Sequence, residues 1–205
     1  MLTFNLNLFI IIGTVIVSLM AFNNADLFNR LKFSAYLIKH NKQGWRFFSY
    51  ALVHAGWAHL LINMFVLYSF GNQSEAYFRL YFGGKGVLYY GLLYLGGILF
   101  ATLLDYRKQK DNPYYAAVGA SGAVSAVLFA SILFDPSGRL IIFPIPFPIP
   151  SWLFGILYLV YSAYMGRRAA DNIGHNAHFW GAIYGIVYTL ILVPGALTGF
   201  LEKLF

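Results

Sequence analysis

Charge-free apolar windows bounded by charged residues, glycine or proline recur along the chain and predict six helices, at about residues 5–22, 51–70, 86–104, 119–134, 151–165 and 177–192. A span needs about 20 apolar residues, because at about 1.5 Å per residue that length crosses a hydrocarbon layer about 30 Å thick. The expected fold class is therefore all-α, a polytopic membrane protein of six transmembrane helices. It forms one domain over residues 1–205, with no room for a separate soluble module. The run at 6–22 has no Lys or Arg before it and no small-x-small cleavage site after it, so it is expected to stay as a first span. The long loop after it mixes Trp45, Phe47 and Phe48 with scattered Lys and Arg, which suits an element lying in the headgroup layer. The connector Pro144-Ile145-Pro146-Phe147-Pro148-Ile149-Pro150 alternates proline with apolar residues and is expected to be extended. No repeat of 20–50 residues is visible, which removes solenoids, and the halves lack the paired broken helices of many transporters.

Polar side chains inside apolar windows are costly, so their placement carries information. The second window opens with His54, His59 and Asn63, the fourth with Ser121, and the sixth with His178, preceded by His175. Windows two, four and six run in the same direction, so these residues converge on one level. His59 and Asn63 are four apart and share a helix face. Ala177, Gly181 and Gly185 form a small-xxx-small face that permits close backbone approach, and Gly122 with Ala126 offers a matching face. If those faces meet, Ser121 and His178 stand at adjacent helix starts. Each feature also has a plain structural role. Ser121 suits a helix N-cap, the glycines suit packing, Asn63 suits an interhelical bridge, and His178 suits a satisfied buried histidine. Their coincidence on one level favours a site.

Composition sharpens the class. The chain is 60% hydrophobic and 10% charged, against roughly 45–50% and about 25% in soluble domains. Cysteine is absent, which excludes disulfides, thiolate chemistry and Cys-based metal sites. The net charge of +7 sits mostly in the connections between windows, where it suits lipid headgroups and not nucleic acid. Metal-bound imidazoles are usually oriented by carboxylates, yet no carboxylate falls in the His-bearing windows and no His-Glu-x-x-His is present, so no metal is expected.

Serine is a weak nucleophile at neutral pH and needs a base to take its proton. His178 is the candidate, since a neutral imidazole can accept one. No Asp or Glu is placed to complete a triad, so the sequence supports a dyad. Attack on a carbonyl creates an oxyanion, for which the His59 imidazole, the Asn63 amide and the Ser121 backbone N–H are candidate donors. The reaction class is acyl transfer to water on a membrane-anchored polypeptide. A proton- or ion-coupled transporter using His54, His59 and His178 is the alternative, although such a path would carry polar groups through the whole depth of the bilayer.

These residues resemble the rhomboid family of intramembrane serine proteases. The matching motifs are Trp45-Arg46 in the first loop, His54-x4-His59-x3-Asn63, Glu75 twelve residues later, Gly119-Ala120-Ser121-Gly122, and Ala177-His178-x2-Gly181-x3-Gly185. They occur in family order over about residues 45–185. The resemblance implies Ser121 as nucleophile, His178 as general base and an oxyanion hole at His59 and Asn63. It further implies supporting roles for His54, Gly119, Gly122, Gly181, Gly185, Trp45, Arg46 and Glu75, with no metal or organic cofactor. Expected partners are single-span membrane proteins and the lipid bilayer. The expected location is an integral multi-pass protein of a bacterial inner membrane, with the site opening on the extracytoplasmic side, although the Lys and Arg count of the loops points the other way. One departure is Ser125, four residues after the nucleophile, where many family members carry an aromatic residue packed on the base.

Overall fold

The computed structural model describes residues 4–141, 146–168 and 173–204. Helix α1 (Leu6–Phe22) starts where the Asn5 side chain accepts the Leu8 N–H at 2.8 Å, an N-cap that satisfies one of the unpaired donors of the first turn. The loop after it folds into short helices: α2 (Ala25–Leu31), α3 (Ala35–Asn41) and α4 (Arg46–Ser49). Asn24 and Ser34 cap α2 and α3, and α3 stops at Lys42, whose φ of 56° is left-handed. Polar capping residues thus divide a stretch that composition alone marks as one long loop.

Helix α5 (Trp57–Val66) passes through a wide turn at Leu67–Gly71 into α6 (Asn72–Phe82), and α7 (Gly86–Gln109) follows. The wide turn has a tertiary cause. The Asn7 amide of α1 donates to the Leu67 carbonyl at 3.0 Å, and the same side chain fills the space where a side chain on Gly71 would stand. The Glu75 carboxylate of α6 then accepts the Leu6 and Asn7 N–H groups at 3.2 and 2.8 Å, capping α1 with a negative charge at its positive end.

Helix α8 (Ser121–Phe134) is the centre of the molecule. From Gly122 to Ile132 every residue is buried, and α7, α6 and α10 (His175–Leu192) pack around it. A two-residue antiparallel ribbon pairs β1 (Arg139–Leu140) with β2 (Ile149–Pro150), and α9 (Ser151–Arg168) leaves directly from it. The proline-rich connector is thus extended where it pairs, at Ile149–Pro150, while its Pro144 and Ile145 lie outside the described residues. Helix α11 (Ala196–Glu202) closes the chain, bent by 104° from α10.

Two expectations are corrected. Among the described residues, one helical run, Trp57–Gln109, is long and apolar enough to cross a membrane. A second qualifies only if α10 and the sharply bent α11 count as one span. Helix α1 has 17 residues and α8 has 14, or about 25 and 21 Å at 1.5 Å per residue, short of the roughly 30 Å required. The described residues are all-α with a small ribbon, and they do not form the six-span bundle. The expected multi-pass placement in a bacterial inner membrane, with an extracytoplasmic opening, falls with it. The physical reason is that apolar windows record burial as well as lipid contact. The window over α8 is apolar because nearly all of that helix is enclosed by other helices.

Candidate active site

The segment entering α8 is held from several sides. Gly119 has a φ of +104°, a conformation open to glycine, and its N–H donates to the Tyr50 carbonyl at 3.0 Å. Tyr50 is itself anchored by its hydroxyl on the Ile98 carbonyl at 2.8 Å. A side chain at Gly119 would run into the His59 ring, with Nε2 only 2.7 Å from the Cβ position. The glycine therefore admits both the turn and the imidazole above it. Ala120, not Ser121, occupies the cap position, and it makes no side-chain capping bond. Ser121 is the first helical residue, half-buried, with its hydroxyl not spent on capping.

Helices α8 and α10 meet backbone to backbone. A Cβ on Gly181 would collide with the Gly122 carbonyl and lie 2.7 Å from its carbon. One turn on, a Cβ on Gly185 would lie 2.7 Å from Ala126 Cα, and the Cβ position of Gly122 is 3.2 Å from the Ala177 carbonyl oxygen. Matching steps of four on both helices mean that they run parallel, with their N-terminal turns side by side. Ser121 and His178 are immediate sequence neighbours of Gly122 and Ala177 in those turns. Among the described residues no hydrogen bond joins the Ser121 hydroxyl to the His178 imidazole.

His59 and Asn63 both stand on α5. The Ala55 N–H donates to His59 Nδ1 at 3.5 Å, so a neutral ring carries its proton on Nε2, the nitrogen beside Gly119. Asn63 is buried and donates one amide hydrogen to the His59 carbonyl at 3.0 Å, which leaves its second N–H available. His54 is fully buried. Its Nε2 accepts the Ala120 N–H at 3.4 Å, its Nδ1 lies 3.0 Å from the Ser18 hydroxyl, and its ring meets that of His59 edge-on at 4.9 Å. His175 is buried on α10, with its ring 6.0 Å from that of His178. Among the described residues no group of three His, Asp or Glu side chains is arranged to hold a metal ion.

The aromatic residue that the sequence could not locate is Tyr158. Helix α9 brings its ring to 6.3 Å from the His178 ring, with 28° between the planes. Its hydroxyl lies 2.6 Å from Ser125 Oγ, and Ser125 donates to the Ser121 carbonyl at 2.9 Å. Hydrogen-bond donation therefore runs from Tyr158 to Ser125 to the Ser121 carbonyl of α8. The signal in the sequence was Ser125 itself, a small polar residue at a buried position that needed a partner.

The remaining motif residues lie away from these turns. Arg46 is buried and donates to Gln43 Oε1 at 2.6 Å and to the Asn29 and Lys32 carbonyls at 3.0 and 2.6 Å, tying α4 to the end of α2. Trp45 is exposed and lies over the Arg46 guanidinium at 4.7 Å. Glu75 is buried and, besides capping α1, pairs with Arg79 at 2.7 Å.

A glycine-mediated parallel helix pair with serine and histidine at its paired starts, beside an α5 imidazole, defines a candidate acyl-transfer site on an all-α scaffold. A family model described as the rhomboid domain matches residues 41–195, and the chain belongs to that family. Curated relatives include Rhomboid-related protein 1 of Caenorhabditis elegans, 27% identical over 171 residues, covering 79% of this chain and 44% of that protein. Rhomboid-related protein 2 of Mus musculus is 36% identical over 93 residues, covering 45% and 28%. Rhomboid-like protein 11, chloroplastic, of Arabidopsis thaliana is 28% identical over 168 residues, covering 75% and 54%. The chain thus spans about half the length of these relatives, or less.

Proposed function

We propose that this chain is a serine endopeptidase that uses Ser121 and His178 to cleave polypeptides anchored in a membrane by a single segment. Ser121 Oγ attacks the scissile carbonyl carbon while His178 takes its proton. The resulting oxyanion accepts hydrogen bonds from His59 Nε2–H, the free Asn63 amide N–H and the Ser121 backbone N–H, which lies in the first turn of α8 where no intrahelical acceptor exists. Collapse of this intermediate breaks the C–N bond, and the departing amine takes the proton from His178. Water then attacks the acyl-serine ester with His178 as base, releasing the acid and restoring Ser121.

The observation that carries this proposal is the parallel contact of α8 and α10 at Gly122, Ala177 and Gly181, with the His59 ring over Gly119. Membership in the rhomboid family adds support. An apolar substrate segment suits the outer face of α5, where Leu61, Ile62 and Phe65 are exposed on the same helix that carries His59 and the buried Asn63. In detergent, a serine-reactive phosphonate is expected to label the full chain once and Ser121→Ala to abolish labelling. Undiminished labelling of that variant removes Ser121 as the nucleophile.

A further inference from the structure

We propose that Ser18, on α1 and outside the residues matched by the family model, is a positioning residue for the nucleophile's loop. It fixes the tautomer of His54 that accepts the Ala120 N–H.

Ser18, His54 and Ala120 are almost entirely enclosed, so their hydrogen bonds have no water to fall back on. The chain of contacts has two ends of fixed polarity. At one end the Ala120 N–H, which can only donate, meets His54 Nε2 at 3.4 Å. At the other, the Leu52 carbonyl, which can only accept, takes the Ser18 hydroxyl proton at 2.8 Å. Ser18 Oγ is then left as an acceptor toward His54 Nδ1 at 3.0 Å, so the ring carries its hydrogen on Nδ1 and a bare lone pair on Nε2. One arrangement of protons satisfies all three contacts. Without the Ser18 hydroxyl, Nδ1 loses its acceptor and the ring is free to place its proton on Nε2, where it would face the Ala120 N–H donor to donor. The residue pushed away would be the one immediately before Ser121. The His54 ring also touches that of His59, so the same anchor steadies the imidazole assigned to the oxyanion. Helix α1 can serve as a fixed point because its other end is tied by Glu75, Asn7 and the Tyr90 hydroxyl, which donates to Asn7 Oδ1 at 2.6 Å.

This role rests on the Ser121 chemistry proposed above, and two measurements separate the failure of each. In full chain labelled with 15N-histidine, the His54 ring signals, assigned by their loss in His54→Asn, are expected to show a protonated Nδ1 and a bare Nε2. A proton on Nε2 overturns the relay. That measurement needs no catalysis, so it decides the relay even if wild-type Ser121 proves unreactive toward the phosphonate, a result that instead removes the protease chemistry. In cleavage of a single-span model substrate, Ser18→Ala is expected to lower kcat about tenfold with KM nearly unchanged, since a misplaced nucleophile costs rate and not binding. The phosphonate labelling rate should fall by the same factor, and Ser18→Thr, which keeps the hydroxyl, should recover most of it. In a His54→Ala background Ser18→Ala should cost nothing further, because the two act as one unit. A kcat equal to wild type below the unfolding temperature, or a loss that simply adds to that of His54→Ala, overturns the proposal.

Discussion

Helix α8 is gripped by two neighbours in opposite ways. Against α10 it presents backbone to backbone: Gly122 and Ala126 lie so near Gly181 and Gly185 that no Cβ fits between them. Against α9 it presents side chains, with Ser125 bonded to Tyr158 and Ile132 and Phe129 resting near Gly155. The first contact has no give, because its atoms belong to two rigid helices. The second adapts, because its atoms are the far ends of rotatable groups. The difference implies that the α8–α10 spacing, and with it the separation of Ser121 and His178, is fixed by backbone contact. The surroundings of the His178 ring, in contrast, depend on where α9 stands.

The same chemical change should therefore act differently on the two faces. Gly181→Ala forces α8 and α10 apart and is expected to cost about 1–3 kcal/mol or more, lowering the unfolding temperature by about 3–10 °C. Cleavage of a model substrate by the folded fraction should fall by about 100-fold as Ser121 and His178 separate. Unchanged activity would mean that the α8–α10 spacing does not set the chemistry. Tyr158→Leu removes both the ring and its hydroxyl, and a fall in kcat of about tenfold without a matching change in KM is expected; equal loss in kcat and stability would reduce Tyr158 to packing. Tyr158→Phe keeps the ring and loses one hydrogen bond, about 1 kcal/mol. It should shift the melting temperature by about 2–4 °C while retaining most activity. Gly155→Ala is the smallest effect. Its Cβ would meet Ile132 Cδ1 at 3.3 Å and Phe129 Cε1 at 3.4 Å, both side-chain ends able to move. The gain in helix propensity of up to about 1 kcal/mol should leave melting level or slightly raised, and a clear drop would show that the α9 face is as rigid as the other.

The helix contact beneath the candidate site was legible in the sequence because its signals are local. The Ala177, Gly181 and Gly185 spacing marks a helix face that must be approached closely, and the structure sets that face on Gly122 and Ala126. The start of α8 at Ser121 and the end of α10 at Leu192 fall within two residues of the edges of their apolar windows. Span number was misjudged, since windows count apolar residues without saying whether protein or lipid covers them. Helix α6 was passed over because Asn72, Gln73, Ser74 and Glu75 look like loop. Each is satisfied by a distant element instead: Asn72 by the Asn5 amide at 3.0 Å, Ser74 by the Val127 carbonyl at 3.1 Å, Gln73 by Ser131 at 2.7 Å, and Glu75 by the start of α1. Tyr158 and Ser18 escaped for the same reason. Their partners lie 33 and 36 residues away, and neither spacing leaves a periodic trace.

The wide turn at Leu67–Gly71 also sets the angular phase between α5 and α6. In a regular helix each residue advances the azimuth by about 100°, and a wide turn absorbs an additional one. If the same residues straightened into regular helix, the additional residue would advance all that follows by about 100° and swing Ser74 and Glu75 off the face that meets α8 and α1, while His59 and Asn63, upstream of the turn, kept their bearing. The local underwinding thus works as a clutch between two segments of one rod, letting the half that carries the imidazole and the half that carries the buried carboxylate point at different neighbours.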